Sequence, residues 1–531
     1  MNAKENDRED AGASPSARVF GDEASMAVWL LHWDVSIERL RAVVDERGGR
    51  VLGRRKRGVW RVGLPAGRYR PDDFGPGARI EPELRVDRVR RPLRAHHFRA
   101  PAGIDLPRFS IRVVDGELGV PLARVTVIAH GPSGRSYRGR TDEDGRASIP
   151  ICEDRLSCVE VLPPDAHWPH LVETGLDAGL SEAGGQALNL GLDPLPPSIE
   201  RYGWGKAKAM KIDRVHRQGI RGAGIRCAVL DTGVSPHPDL RIAGGTNTAD
   251  EEDPSLWRDT HWHGTHVAGI LAAIGRRRSL VGVAPKADLH AVRVGRVVGT
   301  DAYGFSNEMF ETDLLEGIQW CIDQQIDVIN MSLFSQQTLA LDRVLEDAYR
   351  RGIVIVAPAG NHRRGDLSLG LDYPARSPWV ISVGALGRLG TYPPEGYFRR
   401  AEQGARFSPA FPDYYVPGFS KTGEGLDFVA PGVAILSTVP PTLKGWDVDN
   451  RRLTGYTSWM GTSQAAPFIA GLVALILESD PELRGRRDAE RVERVRDVLV
   501  SGSVSLGMDP YTQGYGMPLA PACIRRRFVP E

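Results

Sequence analysis

Three short segments in the second half of the chain carry an acid, a base and a hydroxyl group that together can perform acyl transfer. Asp231 ends an apolar run, His263 opens a run rich in small residues, and Ser463 precedes a long apolar stretch. A serine hydroxyl is a poor nucleophile unless a neighbouring base removes its proton, and an acid next to that base can hold it in the required tautomer. These residue types therefore indicate nucleophilic catalysis, provided that the fold brings them together.

Each of the three residues also has a simpler explanation when it is taken alone. Asp231 can be a turn residue, His263 a helix cap, and Ser463 the N-cap of the helix that follows it. His261, His263 and His266 lie close together, but no second group of Cys, Asp or Glu follows at a recognisable spacing, so no metal site is expected. His261 and His266 are expected to be structural. A helix that begins at Ser463 would point backbone N–H groups at an anion formed beside the serine.

Taken in order, the three segments resemble the motifs of the subtilisin-like serine proteases, or subtilases. The DTG that begins at Asp231, the HGTHVAG that begins at His263 and the GTSQAAP that begins at Gly461 match the family nearly letter for letter. The resemblance extends from Trp204 to near the C-terminus. It implies the subtilisin-like α/β fold, with a doubly wound and mostly parallel sheet.

The same resemblance implies a role for each catalytic residue. Ser463 would attack the peptide carbonyl, and His263 would take its proton and later hand it to the leaving amine. Asp231 would orient the imidazole and stabilise its charged form. The side chain of Asn361, in a family-like AGN block, and the backbone N–H of Ser463 would form the oxyanion hole.

The substrate-binding residues are also implied by the resemblance. Ser332, Leu333 and Phe334 correspond to the strand that pairs with the substrate backbone, and Gly360 belongs to the oxyanion-hole block. The family usually continues with two glycines where this chain has Phe334 and a serine, which predicts a narrower or reshaped cleft. Asp372 lies at a position that forms part of the primary specificity pocket in the family. A carboxylate there would favour Arg or Lys before the scissile bond, unless Asp372 pairs with a neighbouring arginine.

No cofactor is expected, and the calcium site that is common in subtilases is expected to be absent. The loop after the histidine helix reads GRRRS at residues 275–279, and clustered cations oppose binding of a divalent ion. Asp239 matches a calcium ligand of the family, but its partners are lost. The sequence makes no prediction about calcium at other sites.

The elements that must position these residues follow from the hydrophobic pattern of residues 199–531. Short apolar segments alternate there with helical patterns, which predicts an α/β domain with a parallel sheet. The predicted strands are 225–230, 289–294, 328–331 and 353–357, and the predicted helices are 264–274, 313–324, 339–350 and 463–477. Residues 386–418 form an insertion relative to the family, rich in aromatic residues, Pro and Arg. A loop that long is expected to be functional or disordered, and the functional roles considered are an exosite, a lid or a docking surface for the N-terminal modules.

Three N-terminal segments precede the peptidase domain. Residues 1–25 are polar and charged and are expected to be a disordered tail. Residues 26–101 show a small α+β pattern with Ser36 as a helix N-cap, and they resemble a subtilase prosegment, or inhibitory module, in pattern only. Residues 107–192 alternate apolar and polar positions, which predicts a β-sandwich. They faintly resemble the regulatory module of carboxypeptidases. Modules of this type serve to recognise a partner or to space neighbouring domains.

Composition limits the partners and the compartment. Hydrophobic residues make up 41% of the 531 residues, and the formal net charge of +1 gives no reason to expect a nucleic-acid or membrane partner. The N-terminal segment lacks the apolar core of a signal peptide and no transmembrane segment is apparent, so a cytoplasmic location is expected. The 60 glycines and the excess of arginine over lysine suggest a GC-rich, bacterial genome. The five cysteines are expected to be free thiols, although Cys152 and Cys158 could pair.

The leading hypothesis is therefore a serine endopeptidase for protein or peptide substrates, regulated by its N-terminal modules. A regulatory partner could bind those modules or the insertion at 386–418. One alternative is a latent protease that processes a single partner protein, and another is a non-catalytic binding protein with the subtilase fold. An endopeptidase inside a cell must be restrained, and the additional N-terminal residues are where that restraint is expected.

Overall fold

The chain divides into two compact units, Met1–Leu84 and Arg85–Glu531. The structure is a computed structural model that describes residues 26–32, 36–56, 59–65, 69–76, 78–82, 85–86, 106–133, 135–153, 155–163, 167, 170–173, 188–192, 203–249, 253–259, 261–276, 280–301, 304–362, 370–393, 397–440 and 455–524. The tail at 1–25 lies outside the described residues. The unit boundary falls after Leu84, earlier than residue 101, where the sequence analysis ends the first module.

The first unit is a four-stranded antiparallel sheet with one helix. Its elements are β1 (Met26–His32), α1 (Ile37–Asp45), β2 (Arg50–Lys56), β3 (Val59–Pro65) and β4 (Arg79–Pro82), with a 3₁₀ turn at Pro71–Asp73. The strand order is β2-β3-β1-β4. Ser36 caps α1 by accepting a backbone N–H of its first turn. Leu40 and Val44 of the helix share a buried core with Leu31 and Val62 of the sheet.

The second unit begins with β5 (Arg85–Val86) and continues with the β module, defined here as residues 106–192. Its strands are β6 (Arg108–Asp115), β7 (Thr126–His130), β8 (Ser136–Arg140), β9 (Arg146–Pro150), β10 (Cys158–Leu162), β11 (His170–Glu173) and β12 (Leu188–Leu192). One sheet has the order β11-β10-β7-β8 and the other β12-β6-β9. Ile111 of one sheet and Val127 of the other lie in the same buried core, so alternate residues of the two sheets face each other.

Residues 203–524 contain a nine-stranded, mostly parallel sheet. The strands of this part are β13 (Arg226–Asp231), β14 (Ile242–Asn247), β15 (Asp288–Arg293), β16 (Arg296–Asp301), β17 (Gly304–Phe310), β18 (Val328–Asn330), β19 (Val354–Pro358), β20 (Val380–Arg388), β21 (Arg406–Phe407), β22 (Tyr414–Val416), β23 (Phe428–Pro431), β24 (Ile435–Thr438), β25 (Tyr456–Trp459), β26 (Ser503–Val504) and β27 (Met517–Pro518). The sheet order is β14-β15-β13-β18-β19-β20-β22-β21, with β23 beside β20. Its pairs are parallel except those that involve β22.

Helices cover both faces of this sheet. They are α2 (Ile212–Arg217), α3 (His263–Ala272), α4 (Glu311–Asp323), α5 (Leu339–Arg350), α6 (Thr462–Ser479), α7 (Pro481–Gly485), α8 (Ala489–Ser501), α9 (Pro510–Gln513) and α10 (Ala520–Cys523), with a π-helical turn at Trp204–Ala209. Val229 of β13 shares a core with residues of α3 and α6, whereas Leu230 lies 3.6 Å from a Cβ added at Gly317 of α4. Because neighbouring strand residues point to opposite faces, this confirms the doubly wound α/β architecture. The predicted strands and helices all appear, with ends within two residues of those expected.

Helix α6 forms the centre of the core. Of the described residues, it is the one helix long and apolar enough to cross a membrane by length and composition, and 94% of it is buried inside the structure. Burial of this kind is typical of the core helix of a globular protein.

The insertion at 386–418 extends the edge of the sheet. β22 pairs with the end of β20, and β21 pairs with β22. The insertion therefore supplies the antiparallel strand pairs of the nine-stranded sheet. A Cβ added at Gly387 would lie 2.3 Å from the ring of Tyr415, so only glycine permits this approach. Between the strands, a 3₁₀ turn at Tyr397–Glu402 buries its two aromatic side chains.

All five cysteines are free thiols. Cys227, Cys321 and Cys523 are buried, and burial raises the pKa of the Cys523 thiol to about 12. Cys152 and Cys158 are half-buried and do not pair, so the disulfide that the sequence left open does not form.

Candidate active site

Asp231 lies at the carboxyl end of β13, at the edge of the sheet where parallel strands end together. β13 lies between β15 and β18, and this central place explains its apolar run. The carboxylate is 1% exposed, and its Oδ1 accepts hydrogen bonds from the backbone N–H of Thr232 at 2.6 Å and from the Thr232 hydroxyl at 3.1 Å. The carboxylate is therefore fixed at the end of the sheet where open α/β folds assemble their sites.

His263 is the first residue of α3, and its imidazole lies against Asp231. Its Nδ1 is 3.0 Å from Oδ1 and 2.9 Å from Oδ2 of Asp231. The His263 side chain is 10% exposed and that of Asp231 is 1% exposed. A buried carboxylate in this position accepts the Nδ1–H group, which leaves the lone pair of the neutral imidazole on Nε2.

The start of α3 packs closely against the turn that follows β13. A Cβ added at Gly264 would lie 2.1 Å from the backbone oxygen of Gly233, so this approach requires glycine. Asp259 holds the entry to the helix, because its Oδ1 accepts the backbone N–H groups of His261 and Trp262 just before α3, and its Oδ2 accepts the backbone N–H of Thr265 in the first turn at 2.8 Å. Burial raises the pKa of Asp259 above its ordinary value.

Ser463 lies in the first turn of α6, which is fastened to the end of β18. The hydroxyl of Ser332 donates to the carbonyl oxygen of Ser463 at 2.9 Å, and it accepts from the side-chain amide of Asn330 at 2.9 Å. The Ser463 Oγ lies 3.5 Å from the carbonyl oxygen of Ser332. The first N–H groups of a helix have no acceptor within the helix, so those of α6 can stabilise an anion that forms beside Oγ.

Asn361 lies beside the start of α6, where Thr462 orients its side chain. Its Oδ1 accepts from the backbone N–H of Thr462 at 3.0 Å and from the Thr462 hydroxyl at 3.1 Å. With Oδ1 engaged in this way, Nδ2 is the atom of the amide that can donate to an oxyanion. Gly461, with φ of 153°, makes the turn from β25 into α6.

The predicted substrate strand, from Ser332 to Phe334, directly follows β18. Ser332 and Leu333 are buried, the first holding α6 and the second packed in the core, whereas Phe334 is half-buried. The backbone N–H of Ser335 donates to the carbonyl oxygen of Tyr373 at 2.7 Å, which joins this segment to the one that carries the predicted specificity residue. Pairing of this segment with the substrate backbone stays a prediction.

Gly360 and Asp372 lie together, beside a lysine that the sequence analysis missed. A Cβ added at Gly360 would lie 2.2 Å from Oδ2 of Asp372, so the carboxylate lies directly over this glycine. Lys421 Nζ donates to Asp372 Oδ1 at 2.8 Å, and the backbone N–H of Lys421 donates to the Gly360 carbonyl at 3.0 Å. The Lys421 side chain is 5% exposed and that of Asp372 is 24% exposed. Asp372 thus has a cationic partner, but it is a lysine and not the neighbouring arginine considered from the sequence.

The other two histidines of the motif pack against neighbouring residues. The Nε2–H of His266 donates to the Thr457 carbonyl at 3.1 Å, and burial lowers the pKa of His266 to about 3, so the ring is neutral. The ring of His261 stacks on Trp262, with centroids 5.2 Å apart. Within the described part of the chain, no cluster of three or more His, Cys, Asp or Glu side chains could hold a metal ion.

Two tryptophans beside the catalytic motifs were not singled out from the sequence. Trp262 directly precedes His263, and Trp459 lies shortly before Ser463. The two indole rings meet edge-on with centroids 4.9 Å apart, and Trp262 meets the His263 ring edge-on at 5.8 Å. In the sequence, the only indication that these tryptophans belong to the site was their position next to the catalytic motifs. Nothing in the local sequence around Lys421 indicated its role.

Asp239, the residue that matches a calcium ligand of the family, is engaged by protein donors. Its Oδ2 accepts from the hydroxyl of Tyr456 at 2.5 Å, and its Oδ1 accepts from the backbone N–H of Arg276 at 3.2 Å. Residues 277–279 of the adjoining loop lie outside the described residues. The absence of calcium at this loop stays a prediction.

Comparison with known proteins gives matches across this part of the chain. Residues 222–516 match the Subtilase family. Subtilisin DY of Bacillus licheniformis is 34% identical over 310 residues, which are 58% of this chain and 93% of that protein. Subtilisin Savinase of Lederbergia lenta is 33% identical over 320 residues, which are 60% of this chain and 96% of that protein. Subtilisin amylosacchariticus of Bacillus subtilis subsp. amylosacchariticus is 35% identical over 292 residues, and this chain spans only 65% of its length.

A solved structure shows a similar fold over most of the chain. It is the crystal structure of fervidolysin from Fervidobacterium pennivorans, a keratinolytic enzyme related to subtilisin. The TM-score is 0.57 at 21% identity, and the match covers 95% of this chain and 62% of that one. The family match spans more than half of this chain and includes Asp231, His263 and Ser463. The chain therefore belongs to the subtilase family, the subtilisin-like serine proteases.

Proposed function

We propose that this chain is a serine endopeptidase that hydrolyses peptide bonds through an acyl-enzyme. The observation that carries the proposal is the contact of His263 Nδ1 with both carboxylate oxygens of Asp231, at 3.0 and 2.9 Å. With Nδ1–H donated to the carboxylate, Nε2 is the ring nitrogen that can accept the proton of the nucleophile, which is the role of a general base. Ser463 supplies the hydroxyl group at the N-terminus of a buried helix.

Acylation begins when Ser463 Oγ attacks the carbonyl carbon of the scissile bond and its proton passes to His263 Nε2. The new C–O bond converts the carbonyl into a tetrahedral oxyanion, which accepts hydrogen bonds from the Ser463 N–H and from Asn361 Nδ2. Asp231 stabilises the imidazolium during this step. His263 then gives the proton to the leaving nitrogen, the C–N bond breaks, and the amine product departs.

Deacylation repeats these proton transfers with water as the nucleophile. His263 Nε2 takes a proton from the water as its oxygen attacks the acyl carbon, and the same two donors hold the second oxyanion. Collapse of this intermediate breaks the bond to Ser463 Oγ, which recovers its proton from His263. The products are a carboxylic acid and the free enzyme.

A fluorophosphonate probe tests the nucleophile. Wild type is expected to be labelled, and Ser463→Ala is expected to lose the label. The control is Ser479→Ala, which changes another buried serine of α6, one whose hydroxyl donates to the Ile476 carbonyl within the helix. It should keep the label. A wild-type protein that takes no label, or a label that persists in Ser463→Ala, contradicts the proposal and favours the non-catalytic binding protein.

A latent protease that processes one partner protein is the second candidate. It is favoured by the length of chain in front of the peptidase domain, which includes the first unit and the β module. Wild type and Ser463→Ala are incubated separately with unfolded proteins, and new termini are read by mass spectrometry. Cleavage by wild type alone supports a general endopeptidase. A labelled but inactive wild type supports latency and a regulatory partner that binds the N-terminal modules or the insertion.

We further propose that Asp372 favours Arg or Lys immediately before the scissile bond. Its carboxylate lies over Gly360, next to the oxyanion donor Asn361 in the chain, so it is close to where the acyl side of the substrate would bind. Lys421 neutralises part of this charge at 2.8 Å. The preference is therefore expected to be modest in wild type and larger when Lys421 is replaced.

Matched peptide substrates with Arg, Phe or Leu before the scissile bond test this specificity. The ratio of kcat/KM for Arg over Phe should rise about tenfold in Lys421→Met, because the Asp372 carboxylate then keeps its full attraction for a cationic side chain, and it should fall in Asp372→Asn, which removes that charge. The Leu substrate reports whether each variant keeps its basal activity. A preference for Phe that is the same in wild type and Lys421→Met would refute the role of Asp372 in specificity. It would leave the proposed acyl-enzyme mechanism unaffected.

A further inference from the structure

The insertion at 386–418 connects the β module to the peptidase part of the same unit. Ile128 and Leu162 of the β module share a buried cluster with Tyr397, Phe398 and Tyr415 of the insertion. All five side chains are buried, so the contact is stabilised by the removal of apolar surface from water. Of the roles considered for the insertion, these contacts favour a docking surface for an N-terminal module.

A buried carboxylate lies in this contact. Glu160 of β10 is 2% exposed, and its Oε1 accepts from His130 Nε2 at 2.9 Å and forms an ion pair with Arg400 of the insertion. Burial alone would raise the pKa of Glu160, but the hydrogen bond from His130 and the charge of Arg400 outweigh it and hold this pKa below its ordinary value. Glu160 therefore stays ionised. Loss of Arg400 would leave a buried charge without its cation, which is strongly unfavourable.

From Arg400, a row of aromatic rings leads to the catalytic imidazole. We call Tyr397, Trp459 and Trp262 the aromatic row. The Arg400 guanidinium lies 5.9 Å from the centre of the Tyr397 ring, and Tyr397 stacks on Trp459 with centroids 6.2 Å apart and planes inclined by 30°. Trp459 meets Trp262 at 4.9 Å, and Trp262 meets His263 at 5.8 Å. The β module is thus linked to the active site by consecutive contacts.

Trp262 has a backbone conformation that a bulky residue rarely adopts. Its φ is 154°, on the positive side that favours glycine. Such a conformation is energetically unfavourable and persists only where the surrounding structure determines it. The stacking of His261 and the edge contact of Trp459 supply that surrounding structure. Because Trp262 directly precedes His263, a change in its conformation would move the imidazole.

We propose that Arg400 is a positioning residue, which through Tyr397 and Trp459 holds Trp262, and with it His263, in the geometry needed for proton transfer. The β module is then a retained part of the active enzyme, because it supplies Glu160, the partner of Arg400. This inference rests on the proposed endopeptidase activity.

The test measures kcat and KM for a peptide substrate, with active sites counted by fluorophosphonate labelling. In Arg400→Met and Tyr397→Ala, kcat per labelled site should fall about tenfold or more while KM changes little, since a displacement of about 1 Å can cost up to about a hundredfold. Tyr397→Phe keeps the ring and should restore most of kcat. The control is Arg399→Met, which changes the exposed neighbouring arginine and should match wild type.

A different pattern overturns the inference. If kcat per labelled site in Arg400→Met and Tyr397→Ala equals that of wild type while the melting temperature falls, the contact is only structural. If Arg400→Met does not fold, the same comparison of kcat per labelled site and melting temperature is made with Tyr397→Ala and Glu160→Gln. Native mass spectrometry of the labelled wild type should find the β module present, and an active labelled species without it refutes retention. A wild type that takes no label refutes the proposed function instead.

Discussion

Replacing Lys206 by methionine is expected to stabilise the fold, most strongly at acidic pH. Lys206 lies on the π-helical turn Trp204–Ala209 and is 2% exposed. Its Nζ lies 5.7 Å from the ring centre of Phe468 in α6. Burial lowers the pKa of Lys206 from 10.5 to about 7, and no carboxylate among the described residues opposes this shift. The protein therefore holds an ammonium group in a place that favours the neutral amine.

The magnitude follows from the difference between the two pKa values. The step from 10.5 to about 7 corresponds to about 5 kcal/mol of unfolding free energy. Because the folded pKa is the lower one, the unfolded state binds more protons between pH 7 and 10.5, and wild-type stability rises with pH across this window. Below pH 7 the group is charged in both states, and the folded state carries the full cost. Lys206→Met should thus exceed wild type by several kcal/mol, up to about 5, at pH 6, and the difference should vanish near pH 10.5.

The assay is denaturant unfolding at a series of pH values from 6 to 10, with Ser463→Ala as the background so that self-digestion is prevented. The control is Lys208→Met, which changes an exposed lysine of the same turn and should alter stability by less than about 0.5 kcal/mol at every pH. A stability difference for Lys206→Met that does not change with pH would refute the reasoning. A destabilised Lys206→Met at pH 6 would do so too, since it would mean that the ammonium is well solvated or paired.

Further predictions concern the oxyanion hole, calcium and a buried ion pair. Asn361→Leu should lower kcat by about 10²–10³ with KM little changed, and a loss below about tenfold in steady-state kinetics would speak against its role as an oxyanion donor. EDTA should leave the melting temperature unchanged, because protein donors engage Asp239; a clear drop that calcium reverses would show a calcium site. Arg491→Met should destabilise by about 3–5 kcal/mol, because it removes a fully buried partner of Asp327 at 2.7 Å. Arg487→Met, which removes the half-exposed partner of the same carboxylate, should cost about 1 kcal/mol or less, and equal losses in denaturant unfolding would contradict this contrast.

Much of the fold could be predicted because its strands are buried on both faces. A strand such as β13 then reads as a continuous apolar run, and the long apolar helix α6 is equally plain in the sequence. The short strands β21 and β22 inside the insertion could not be predicted. They have two and three residues, and their pairing with the end of β20 depends on the approach of Tyr415 to Gly387, which no local pattern reveals.

The sequence by itself determined the candidate triad and its order, because Asp231, His263 and Ser463 each lie in a local motif at the end of a strand or the start of a helix. Only the tertiary structure decided which charges meet. Lys421 reaches Asp372 across 49 residues of chain, and Arg400 reaches Glu160 across 240. The physical reason is that ion pairs and ring contacts depend on sheet order and on how the modules pack, and these bring together residues that are far apart in sequence.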